Sequence, residues 1–342
     1  MRGALVRDIG EFGLIAALEA ALPKEARAGE ALDLGIGDDC AVWQPPERSA
    51  VVITTDSLVE GIHFRLDWTD WERLGHKTLA VNLSDLAAMG ATPGVAVVTL
   101  ALRGTERVAD LEALYRGMGA LAVSTGARIA GGDIVSSPDA LAMHVTLLGS
   151  ASDGKVLRRS GAKPGDLIGV SGMLGASAAG LRLQQAGGMN ARRRAATADL
   201  LIEAHLRPQP RLALGKLLLD QGASAAMDLS DGLFGDLPKL LTASGVRGRL
   251  RERDIPVAAA VRALFPAEWL HLATRGGEDY ELLFTIAPDQ WSSLEAAAKE
   301  AGSTVTAIGE VLPADDEQPF MVMESNGVER AVRSGAFDHF AG

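Results

Sequence analysis

The residues of this chain best placed to do chemistry lie in six short acidic motifs. They read GIGDDCAV (35–42), TTDSLVEGIHF (54–64), NLSDLAAMGA (82–91), GGD (131–133), MDLSDGL (227–233) and GGEDYEL (276–282). Small residues surround nearly every carboxylate. Gly, Ser and Thr let a backbone approach a ligand closely, and Asp supplies the hard oxygen donors that Mg2+ takes. Carboxylates that converge repel one another: at ~6 Å and an effective dielectric of ~20, each pair costs roughly 3 kcal/mol. A cluster of Asp38, Asp39, Asp56, Asp85, Asp133, Asp228 and Asp231 must therefore take up protons or cations. One such Asp alone reads as a helix cap or a turn residue. The whole set, with its small neighbours repeated, reads as one metal and phosphate site assembled from distant segments.

The details point the same way. Thr54, Thr55 and Asp56 close an apolar strand and offer two hydroxyls and a carboxylate, and His63 follows in a turn after Gly61. The two glycines of GGD suit a backbone that passes against a nucleotide, or simply a turn. RRSGAKPGD (158–166) places Arg158, Arg159 and Lys163 among small residues, and Arg suits multidentate phosphate binding. GVSGMLGAS (169–177) reads as strand, Gly turn and helix start, so a phosphate could rest on those N–H groups. It is not a dinucleotide fingerprint, because Val170 stands where the first Gly belongs, and no P-loop occurs. Phosphates must then be held through carboxylate-bound metal. Cys40, the only cysteine, reads as a small packing residue and excludes an internal disulfide.

These motifs must be positioned by an α/β (α+β) scaffold. Apolar runs bounded by turn residues predict strands at 50–56, 94–102, 140–150, 166–172 and 280–286, and helical patterns cover 69–90, 106–126, 176–187 and 208–222. With 342 residues the chain exceeds what one core usually supports, so two domains are expected, 1–150 and 151–342, divided in the Gly-rich polar stretch 150–166. The interval from Asp85 to Asp133 equals that from Asp231 to Asp279, which fits two related half-chains or coincidence. The triple arginine Arg192–Arg194 reads as a solvated loop. A net charge of −11 argues against nucleic-acid binding through bulk electrostatics. No apolar stretch is long enough to span a membrane, and the N-terminus lacks a signal-peptide core. With a single Cys, the expected compartment is the reducing cytoplasm.

In order and spacing, GIGDDCAV, TTDSLVEGIHF, KTLAVNLSDLAAMGATP, GGD, RSGAKPGD, DLSDGL and GGEDYEL resemble the thiamine-monophosphate kinase family. The resemblance extends to HLRPQPRLALG (205–215) and the ending FDHFAG (337–342). It implies the two-domain fold of aminoimidazole ribonucleotide synthetase, with N-terminal sheets pairing across a homodimer. It also implies transfer of the γ-phosphoryl group of ATP to thiamine monophosphate. By motif, Asp39, Thr54, Thr55, Asp56, Asp85, Asp133, Asp228 and Asp231 would hold Mg2+ around the ATP phosphates. Tyr115, Gly132, Asp133, Arg159 and Ser230 would contact ATP, and His63, Glu278 and Phe337 would contact thiamine monophosphate. No residue is expected to act as general base. A selenophosphate synthetase would carry a reactive Cys in a Gly-rich loop. A hydrogenase maturation factor of the same superfamily would end in a Cys tail, which FDHFAG is not.

Overall fold

The computed structural model describes residues 3–29, 31–36, 40–186, 196–332 and 335. The chain divides into two compact units, Met1–Leu86 with Ala91–Lys155, and Ala87–Gly90 with Val156–Gly342. Among the described residues no helix is long and apolar enough to cross a membrane.

The first unit begins with α1 (Val6–Ala21), α2 (Lys24–Arg27) and a small ribbon of β1 (Leu32–Leu34) and β2 (Val42–Trp43). Its centre is a four-stranded sheet in the order β3-β6-β4-β5, made of β3 (Ser49–Val59), β4 (Thr92–Leu102), β5 (Arg128–Ser136) and β6 (Ala142–Ser152). Helices α3 (Trp71–Ala88) and α4 (Val108–Thr125) accompany it. The pleat sorts the side chains by alternation. Leu58, Val98, Leu100, Val145 and Leu147 are buried. On the opposite face Val51, Ile53, Val97 and Val135 are exposed. Cross-strand pairing aligns Ser57, His144, Thr99 and Asp133 in one row of that open face.

The expected strands at 50–56, 94–102 and 140–150 correspond to β3, β4 and β6, and the helices at 69–90 and 106–126 to α3 and α4. GGD is not a turn. It lies inside β5, where Gly132 pairs with Val98 in parallel register. A Cβ at Gly132 would run into the Val98 carbonyl oxygen, whereas one at Gly131 would meet nothing within 4 Å.

The second unit holds β7 (Leu167–Ser171), α5 (Ala176–Gln185), α6 (Ala196–Leu206), α7 (Leu212–Asp220), β8 (Ala225–Asp228), α8 (Leu233–Ser244) and β9 (Arg247–Arg251). It continues through α9 (Ala259–Leu264), α10 (Trp269–Arg275), β10 (Leu282–Ile286), α11 (Trp291–Glu300), β11 (Val305–Leu312), β12 (Met321–Ser325) and β13 (Val328–Ala331). Seven strands form one mixed sheet, β13-β12-β9-β11-β7-β10-β8. Every residue of β10 is buried. Leu283 joins a core with Ile168, Leu237 and Leu240, while Leu282, Phe284 and Ile286 join another with Leu214, Leu218 and Leu294. Cover on both faces explains why β10 carries apolar side chains on both of its faces rather than alternating apolar with polar. The matching loop spacing has no common structure behind it: Asp133 stands on a strand, while Asp279 lies in a loop before β10.

Candidate functional site

In the first unit the pleat of β3 turns Thr54 and Asp56 toward α3. Thr54 Oγ1 donates a hydrogen bond to Asp85 Oδ2 from that helix. Burial, the nearby Asp85 charge and a hydrogen bond to it push the Asp56 carboxyl up to about 6. Two carboxylates and a hydroxyl therefore share one half-buried place, and the causes that set the Asp56 carboxyl are burial and Asp85. Thr55 points to the other face, where its hydroxyl donates to the Val145 carbonyl at 3.1 Å and accepts from Thr146 at 3.1 Å. Three consecutive residues of a strand cannot all aim at one ion with their side chains.

Asp133 is exposed on β5, the sheet edge opposite β3, and its Oδ1 accepts from the N–H of Ile134 at 2.9 Å. Three strand spacings of about 4.8 Å put it roughly 14 Å from β3, with its side chain on the face away from Asp56. Within one chain the two do not share an ion. His63 sits in the turn after β3, where its Nδ1 accepts from the Val59 N–H at 3.1 Å. The neutral ring then carries its hydrogen on Nε2, as a donor. Tyr115 is buried within α4, 6% exposed, and burial drives its hydroxyl well above the ordinary phenol range. So little surface does not suit a ring expected to flank a nucleotide. Asp39 and Phe337 lie outside the described residues.

In the second unit the DLSDG and GGEDYEL segments form neighbouring loops tied through backbone. Leu229 N–H donates to Glu281 O at 2.8 Å, Glu278 N–H to Ser230 O at 2.8 Å, and Tyr280 N–H to Leu229 O at 2.9 Å. A Cβ at Gly277 would stand 2.5 Å from the Ser230 oxygen, so only glycine lets the loops come this close. Asp228, Ser230, Asp231 and Glu278 are thereby gathered. Arg159 is exposed in the segment beside β8, where Ala226 N–H donates to Arg158 O at 2.8 Å and Ser244 Oγ donates to Arg159 O at 3.1 Å.

The carboxylates of these loops have separate employments. Asp231 accepts from Lys239 Nζ at 2.6 Å, and the same ammonium reaches buried Asp236 at 2.8 Å. Burial raises the Asp236 carboxyl and Lys239 draws it back. Asp279 accepts from the N–H groups of Gly175 at 2.7 Å and Ser177 at 3.2 Å, capping α5. The N–H groups of GVSGMLGAS at the start of α5 are thus taken by a carboxylate of the chain itself, not left for a phosphate. Burial pushes that carboxyl up to about 7 despite these bonds. Glu281 accepts from Ser171 Oγ and twice from Arg211, whose Nε lies at 2.8 Å. Among the described residues no group of three or more His, Cys, Asp or Glu side chains forms a metal cluster.

Comparison with known proteins adds a second kind of finding. The family model described as AIR synthase related protein, N-terminal domain, matches residues 37–151, and that of the C-terminal domain matches 163–321. The thiamine-monophosphate kinase of Escherichia coli K12 is 40% identical over 338 residues, 97% of this chain and 98% of its own length. The chain belongs to the thiamine-monophosphate kinase family. A crystal structure of the thiamine-monophosphate kinase from Stenotrophomonas maltophilia K279a covers 94% of this chain and 98% of its own, at 37% identity and a TM-score of 0.82. A structure described as AaThiL complexed with AMPPCP and TMP covers 98% of both chains, at 29% identity and a TM-score of 0.75.

Within a thiamine-monophosphate kinase frame, sequence reasoning missed Asp236, Lys239, Arg211, His205 and the capping role of Asp279. Asp236 and Lys239 were open to detection, since an acid and a base three apart after DLSDG share a helix face. Nothing local to Arg211 announces Glu281, which lies 70 residues away.

Proposed function

We propose that this chain transfers the γ-phosphoryl group of ATP to thiamine monophosphate, giving ADP and thiamine diphosphate. The observation that carries the reading is the Thr54–Asp56–Asp85 group, two carboxylates and a hydroxyl brought together from a strand and a helix, in a chain of this family. The relative described with AMPPCP and TMP supports the same pair of substrates.

The chemistry suits the residues. A phosphate monoester has a second pKa of about 6, so the acceptor oxygen is mostly ionised at neutral pH and needs no general base. It forms the new P–O bond to the γ-phosphorus in line as the bond to the ADP oxygen breaks, with no phosphoenzyme. The barrier is mainly one of bringing two polyanions together. The donor set fits Mg2+, which takes hard oxygen ligands. Asp56 and Asp85, aided by Thr54, would hold one ion; Asp39, Asp133, Asp228 and Asp231 are the positions proposed for further Mg2+ ions, and Thr55, whose hydroxyl faces away from Asp56, would not join the first ion through its side chain. When bound, Mg2+ neutralises phosphate charge and orients the groups. Gly132, Asp133, Arg159 and Ser230 are assigned to ATP; Tyr115 is assigned to the core instead. His63, donating from Nε2, is assigned to the phosphate of thiamine monophosphate, with Glu278 and Phe337 on the same substrate.

A homodimer accounts for the open face of the first sheet, where Val51, Ile53, Val97 and Val135 are exposed. The cytoplasm supplies the ATP and suits a chain with one Cys.

Incubation with Mg-ATP and either thiamine or thiamine monophosphate tests the reading. Thiamine diphosphate is expected from the monophosphate, and its absence at every metal concentration would leave a nucleotide or metal sensor as the alternative. His63→Ala is expected to raise KM for thiamine monophosphate about tenfold or more, the worth of a hydrogen bond to a charged group, with KM for ATP little changed. Equal rises in both would make His63 structural.

A further inference from the structure

Glu278 is held in an unusual way. Its backbone is left-handed, φ 64°, a region that non-glycine residues adopt when their surroundings over-determine them. The Glu278 N–H is bound to the Ser230 carbonyl. Its side chain is 25% exposed, and one carboxylate oxygen, Oε2, lies 3.2 Å from Nδ1 of His205. His205 is on the last turn of α6, with its side chain 5% exposed. The same Nδ1 lies 3.1 Å from Ser177 Oγ on the first turn of α5. A carboxylate has no hydrogen to give, so this contact is favourable with the hydrogen on Nδ1. Two packed helices thus aim a buried donor at the inner oxygen of a partly exposed acid. Through Ser177, whose N–H binds Asp279, the arrangement is continuous with the cap that fixes the loop.

We propose that His205 is a positioning residue for the acceptor site: its Nδ1–H fixes the Glu278 carboxylate in the orientation that meets thiamine monophosphate. The proposal rests on the reading of Glu278 as a contact of that substrate. A long acid on a loop otherwise spreads over several rotamers, and ordering it on binding weakens affinity; a buried donor removes that loss in advance. His205 itself touches neither substrate nor metal in this scheme.

Steady-state kinetics of the full chain with thiamine monophosphate and ATP test it. His205→Phe keeps a ring and removes the donor; His205→Asn places an amide nitrogen near the position of Nδ1. The Phe variant is expected to raise KM for thiamine monophosphate about tenfold, the Asn variant no more than about threefold, with kcat and KM for ATP within about twofold in both. In a Glu278→Ala background, His205→Phe is expected to add nothing, since both act through one carboxylate. Equal rises in both KM values, or additive losses in that background, would overturn the proposal. Should His205→Phe not fold, His205→Gln, whose amide nitrogen reaches the Nε2 position instead, is expected to show the same acceptor-specific rise, and a wild-type KM there overturns it. A wild-type chain that makes no thiamine diphosphate, or a Glu278→Ala chain with unchanged KM for thiamine monophosphate, removes the substrate reading as well. A loss in Glu278→Ala with none in His205→Phe removes the proposal alone.

Discussion

Asp56→Asn is expected to lower thiamine diphosphate formation by about a hundred- to a thousandfold, the usual loss when one fixed group that stabilises transition-state charge is removed. The same substitution is expected to stabilise the metal-free protein. In the folded chain burial and Asp85 raise the Asp56 carboxyl from its ordinary 3.8 to about 6. The folded state therefore keeps this proton to higher pH than the unfolded state does. Its contribution is fully favourable below about pH 3.8 and is lost as pH rises through about 6. The ionised pair costs at most about 3 kcal/mol above that pH, and less where water reaches the site. Asparagine keeps the shape and removes the repulsion. Thermal unfolding in a chelator should then show the variant more stable than the parent at pH 7.5 and equal to it near pH 4. Added Mg2+ should raise the melting temperature of the parent far more than that of the variant. Near-parental turnover would take the metal role from Asp56, and an unchanged response to Mg2+ would take it from the whole pair.

The case of Asp56 also shows what was legible in the sequence. The motifs and their small neighbours are local properties, and DLSDG begins where β8 ends; TTD, expected to close its strand, lies inside β3, which runs on to Val59. The carboxyl of Asp56 is raised first by burial and then by Asp85, the second being the repulsion expected of converging carboxylates. Side-chain direction was less legible. Thr54, Thr55 and Asp56 read alike as a string, but the pleat sends the middle one to the other face. GGEDYEL reads as one acidic motif, and its three acids go three ways: Glu278 to His205, Asp279 to the start of α5, Glu281 to Arg211 and Ser171. What separates them is the partner that another part of the chain brings up, and no pattern within seven residues encodes it. DLSDG shows the same limit, because Asp231 meets Lys239, a cation belonging to the chain itself. A carboxylate count overstates the charge left for metal wherever a lysine or arginine lies within reach.

Gly132→Ala and Gly131→Ala should differ sharply, although the two glycines are adjacent in GGD. A methyl group at Gly132 is driven into the Val98 carbonyl oxygen of the neighbouring strand, and backbone in the middle of a ladder cannot step aside cheaply. Overpacking of this kind costs about 3 kcal/mol. For a folding unit of this size that is a fall of roughly 6–12 °C in melting temperature. At Gly131 the methyl group meets open space, and replacing glycine in an extended strand stiffens the unfolded chain, so the change is expected to be neutral or to stabilise by about 0.5 kcal/mol. Thermal unfolding of both variants reads the difference directly. KM for ATP then separates two reasons for a glycine here. If the close approach of β4 is the whole reason, the folded fraction of Gly132→Ala binds ATP as the parent does. If the nucleotide also passes against this backbone, KM for ATP rises in Gly132→Ala even under conditions where it is fully folded. A Gly132→Ala chain as stable as the parent would mean that β5 pairs with β4 in some other register.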